Sequence, residues 1–74
     1  MEYKIKEITP ESMVCGVGPC PGIYDHKEKG KYLIIGNIAD AKNYKIDGIS
    51  LERKVGPNEV LIEIDKKLID EKAH

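Results

Sequence analysis

"GIYDHKEKGKYLIIG", residues 22–36, is the stretch that decides the fold. Ile23-Tyr24-Asp25 and Lys31-Tyr32-Leu33-Ile34-Ile35 are rich in β-branched, aromatic and aliphatic side chains, the residue types that fit a pleated, half-buried surface. Between them His26-Lys27-Glu28-Lys29-Gly30 is polar and ends in a glycine able to adopt positive φ. Two strand-like runs around such a turn predict a β-hairpin from Gly22 to Gly36.

Upstream of this hairpin, Met1, Tyr3 and Ile5 alternate with Glu2, Lys4 and Lys6, the period of two expected of a half-buried strand. Glu7-Ile8 breaks the alternation, and Thr9-Pro10-Glu11-Ser12 predicts a capped turn that ends the strand near Ile8. Downstream, Asn37 to Gly48 is too short and polar to sustain a helix of its own, so a loop with at most one helical turn is expected, closed by the turn pair Asp47-Gly48. Ile49, Leu51 and Val55 against Val60, Ile62 and Ile64, with "VGPNEV" between them, predict a second hairpin. Asp65 is placed to cap a short terminal helix carrying Leu68 and Ile69. The resulting expectation is a single β-rich domain over residues 1–74. It is α+β, mainly β: a small antiparallel sheet or partly open barrel of two hairpins and an N-terminal strand, with a short C-terminal helix.

Size and charge narrow the function. A chain of 74 residues buries only about 60% of the surface its unfolded form exposes, so its core is thin. With neither Trp nor Phe, that core must come from Ile, Leu, Val and Tyr, which leaves little material to wall a deep substrate pocket. A non-enzymatic protein is expected. Basic and acidic residues number 12 and 13, so the net charge does not recommend nucleic acid as a partner. No apolar run approaches a membrane span, and the alternating start does not read as a signal peptide, which predicts a cytoplasmic protein without membrane contact. Gln is absent while Lys, Glu and Ile abound, the tendency of proteins from hot environments.

The stretches "CPGIYDHKEKGKYLIIG" and "VGPNEVLIEIDKKLIDE" resemble a group of small prokaryotic proteins of unknown function. These share a Cys-Pro-x-aliphatic-aromatic strand, a charged turn, a strand ending in Gly, and a Gly-Pro turn before a V-x-V/I-E strand and a terminal helix. The resemblance spans residues 15–71. It implies a shared small fold and an accessory or regulatory role, and it supplies no catalytic residue.

Three groups of side chains are candidates for chemistry. Cys15 and Cys20 flank a bend rich in Gly and Pro; the plainest reading is two half-buried thiols packed as small apolar groups. A disulfide across the bend and a thiol-redox pair remain open. So does zinc, for which four thiolates from two chains are chemically more reasonable than completion by His26 and His74. Lys27, Lys29 and Lys31 near the hairpin tip, with Tyr24 and Tyr32 on the flanking strands, form an interaction surface that touches a phosphate backbone in the nucleic-acid reading and is a solvated turn in the plainer one. The third candidate is the apolar strand "YLIIG", a poor sequence to leave at an open sheet edge. Self-association or a larger protein partner would cover it, so an interaction module without a cofactor is the leading expectation, ahead of the zinc or thiol module and the nucleic-acid binder.

Overall fold

The computed structural model describes residues 2–16 and 18–72. Met1 of the first strand and His74 of the zinc reading lie outside the described residues, as do Val17 and Ala73. The hairpin forms as its composition dictates: β2 (Gly22–His26) pairs antiparallel with β3 (Lys31–Ile35), following the short β1 (Lys6–Glu7). The register sets Gly22 opposite Ile35, Ile23 opposite Ile34, Tyr24 opposite Leu33, Asp25 opposite Tyr32 and His26 opposite Lys31. A 3₁₀ turn at Lys27–Lys29 connects the two strands, and Gly30 closes it at φ 63°, a left-handed conformation that costs glycine nothing.

β1 lines the other side of β2, giving a three-stranded sheet in the order β1-β2-β3. Its buried face differs from the one the alternation of Tyr3 and Ile5 predicts: both are exposed, and Ile8 is buried instead. The reason lies in the ladder. The Ile8 N–H donates to the Ile23 carbonyl at 2.9 Å, and residues opposed across a sheet share a face, so Ile8 and Ile23 turn inward together. Thr9 extends the contact, its Oγ1 accepting from the Ile23 N–H at 3.0 Å and donating to Glu7 Oε2 at 2.9 Å. The turn after Pro10 is a 3₁₀ turn at Glu11–Met13 without a side-chain cap.

The second predicted hairpin does not form. Leu51–Lys54 is a 3₁₀ turn, started by Ser50 Oγ accepting from the Glu52 N–H; serine competes well for backbone donors at such a position. Two smaller ladders replace that hairpin. β4 (Asn37–Ile38) pairs with β7 (Ile62–Glu63), and β5 (Lys45–Ile46) pairs with β6 (Ile49–Ser50) across Asp47-Gly48. Asp47 at φ 52° and Gly48 at φ 77° give the doubly positive conformation whose twist suits a two-residue hairpin turn. The predicted loop over 37–48 thus holds two short strands and a 3₁₀ turn at Ala41–Asn43, capped by Asp40 Oδ1 accepting from the Lys42 N–H.

The last described element is α1 (Lys66–Asp70), capped by Asp65 Oδ1 accepting from the Lys67 N–H at 2.9 Å. Leu68 of this helix is fully buried against Ile8 and Ile23, with Met13, Ile34 and Ile64 around them. The fold is therefore α+β and mainly β: among the described residues, small antiparallel sheets with one short C-terminal helix and no closed barrel.

Candidate functional site

Ile23 directs both its N–H and its C=O toward β1, to Thr9 and Ile8. Backbone groups alternate in direction along an antiparallel strand, so Gly22, Tyr24 and His26 direct theirs toward β3 and meet Ile35, Leu33 and Lys31. By the same alternation the N–H and C=O groups of Tyr32 and Ile34 point away from β2, off the free edge of the sheet. Among the described residues neither has a backbone partner on that side.

This edge is apolar as well as unpaired. Tyr32, Leu33 and Ile35 are exposed, Ile35 to 53%. Leu33 and Ile35 share a face with Tyr24, opposite the face that α1 covers. Along that open face runs a groove of about 320 Å³ lined by Pro19, Cys20, Pro21, Tyr24, Ile35 and Gly36.

The rim of the groove is a covalent loop. Cys15 and Cys20 are joined in a disulfide, with Cα atoms 6.2 Å apart, which replaces the expectation of two packed thiols. Gly16, Gly18, Pro19 and the bend they make bring the sulfurs within bonding reach. Cys15 is exposed and Cys20 half-buried, so solvent reaches the bond. Oxidised sulfurs carry no thiolate for zinc, and among the described residues no group of three or more His, Cys, Asp or Glu is placed to hold a metal.

The basic tip is dispersed. Lys27, Glu28 and Lys29 occupy consecutive positions of a 3₁₀ turn, which sends successive side chains about 120° apart. Lys29 Nζ lies over the Tyr3 ring at 4.8 Å, while Lys31 opens β3. Tyr24 and Tyr32 sit on opposite faces, since Tyr32 is opposed by Asp25 and Tyr24 by Leu33. They do not make one stacking platform. Lys72 Nζ reaches the Tyr32 ring at 5.9 Å from the helical side.

Two features escape sequence reasoning. His26, in a tip that reads as polar, is 3% exposed, and among the described residues neither ring nitrogen has a hydrogen-bond partner; the Tyr3 ring lies 4.7 Å away, tilted against it. Sequence pattern gave no signal for this burial: His26 shares the face of Tyr24, Leu33 and Ile35, which α1 does not cover, and the Tyr3 ring closes over it there. Tyr44 donates its hydroxyl proton to Glu63 Oε1 at 2.8 Å, tying the 3₁₀ segment to β7. This bond and the Glu63 charge raise the Tyr44 pKa above the ordinary tyrosine value of 10.0.

Comparison with protein families, curated proteins and solved structures finds no match for this chain.

Proposed function

We propose that this protein is a small non-enzymatic interaction module, an accessory or regulatory subunit that works in the cytoplasm by covering its apolar sheet edge with another protein surface. The observation that carries this reading is the surface the chain leaves uncovered. A compact monomer of 8.3 kDa exposes about 4,600 Å², whereas this chain exposes 6296 Å². The radius of gyration agrees, at 14.4 Å against about 11 Å for a compact chain of this length. The excess of roughly 1,700 Å² is more than the ~800 Å² that one partner gives to a standard interface.

The test is to follow tagged full-length chain by native electrophoresis, alone and in extract of its own cells, beside a Leu33→Lys, Ile35→Lys variant that keeps the wild-type circular dichroism. A heavier species formed by wild type and lost in the variant supports the reading. Migration of the wild type at its own mass in both settings overturns it.

The solvent-reached disulfide favours a second reading, a thiol-redox module. A cellular dithiol attacks one sulfur, and after exchange the donor becomes a disulfide while Cys15 and Cys20 take up two electrons and two protons as thiols. A disulfide in a cytoplasmic protein fits the hot-environment composition, since hyperthermophile cells maintain such bonds. Thiol titration after equilibration with thioredoxin-type dithiols tests it: reversible appearance of both thiols supports it, and a bond that resists reduction in the folded chain overturns it. The reduced pair would restore the zinc alternative, read by elemental analysis of the same sample.

A further inference from the structure

We infer that the partner of the β3 edge is a second copy of this chain, joined antiparallel about a two-fold axis through Leu33, so that two three-stranded sheets become one continuous sheet. The inference rests on the interaction reading above and names its partner.

Three observations select this occupant and this register. The first is the direction of the backbone groups. Tyr32 and Ile34 both aim N–H and C=O outward, as derived from the bonds of Ile23 to Ile8 and Thr9. With the axis at Leu33, Tyr32 of one chain opposes Ile34 of the other, and each pair exchanges N–H···O bonds in both directions. Every outward donor in the strand then meets an acceptor, which the edge of a lone chain leaves to water.

The second is the sequence of the strand. Centring on Leu33 overlaps the whole of Lys31–Ile35 with its mate and sets Lys31 opposite Ile35. No like charges face each other, a juxtaposition that destabilises cross-strand pairs. The two Leu33 side chains meet at the axis on the open face, between the Tyr24 and Ile35 side chains of both copies, making one apolar stripe out of two short ones.

The third is area. Tyr32, Leu33 and Ile35 stand 52%, 41% and 53% exposed along this edge, so apolar area is available there, and a symmetric pairing covers the same patch twice. α1 lies on the other face of the sheet, packed on Ile8 and Ile23, and so does not obstruct the edge.

The experiment uses purified full-length chain. Sedimentation equilibrium over a wide concentration range should approach twice the chain mass of 8.3 kDa. Leu33→Cys should cross-link to itself under mild diamide oxidation, because directly opposed residues of a non-hydrogen-bonded pair stand about 4.5 Å apart at Cα, within the ~7 Å limit for a disulfide. Lys31→Cys should not, since its mate is Ile35 and the two Lys31 positions stand roughly 13 Å apart along the strand. Tyr32→Pro deletes an outward N–H without touching the ladder to β2, and should give a folded monomer by circular dichroism and sedimentation. A wild-type chain that sediments as a monomer throughout overturns the self-pairing, as does a dimer that cross-links through position 31 as readily as through 33. If that monomer still forms a heavier, Leu33- and Ile35-dependent species in extract, the interaction reading survives with a different partner. If it does not, both fall.

Discussion

His26 shows how much one buried side chain can cost a small domain. Its imidazole is buried with both nitrogens unpartnered, and an unmade hydrogen bond on a buried group costs about 1–3 kcal/mol. His26→Leu removes that penalty at similar volume and should raise stability by about 1 kcal/mol or more, read as a melting temperature higher by about 4–8 °C per kcal/mol for a domain of this size. A lower melting temperature would mean that the contact with the Tyr3 ring outweighs the missing bonds. The burial was not legible in the sequence, because "DHKEKG" reads as solvated throughout and the face His26 shares with Tyr24 is the one α1 leaves open. The Asp65 cap and the positive φ of Gly30 were legible, since each follows from the local chemistry of one residue type.

Elements divide along the same line. The β2–β3 hairpin was readable because five residues on each side of a polar turn carry a periodic signal. The pairing of Asn37–Ile38 with Ile62–Glu63 was not: each strand is two residues long, too short for periodicity to exist. The second predicted hairpin failed for a related reason: three apolar residues over 49–55 are too few to hold a strand register once Ser50 engages the Glu52 N–H and Leu51–Lys54 winds into a 3₁₀ turn. What holds the β4–β7 ladder close is Gly36, where an added Cβ would stand 2.5 Å from Ile64 Cγ2 and 2.7 Å from the Glu63 carbonyl oxygen. The Ile64 side chain can shift and the backbone oxygen cannot. Gly36→Ala should therefore destabilise by about 1–3 kcal/mol, checked by urea denaturation, with loss of amide protection at Ala39, whose N–H donates to Leu61 across this junction. Unchanged protection there would show that the strands part without cost.

At the scale of the whole molecule, the apolar residues are unevenly spent. Ile8, Ile23 and Leu68 are buried around the three-stranded sheet, while Ile38 at 80% exposure and Val60 at 67% stand open in the region beyond it. The sequence made the shortage of core legible and left its location hidden, because long-range pairings decide which aliphatic side chains are covered. If the β3 edge pairs with a second copy as proposed, the midpoint of thermal unfolding should rise with protein concentration. Scans of the wild type at several concentrations check this, with Tyr32→Pro as the monomeric control whose midpoint stays constant. A constant wild-type midpoint would count against association.

The same open surface governs how the lone chain responds to heat and cold. Unfolding newly wets little oil-like area when so much is already wet, and the heat-capacity increment scales with that newly wetted area. For the Tyr32→Pro variant, calorimetry should give an increment below the about 1 kcal/mol/K usual for this length. Its free-energy curve then bends less with temperature, giving a broad optimum and moving unfolding in the cold to lower temperature.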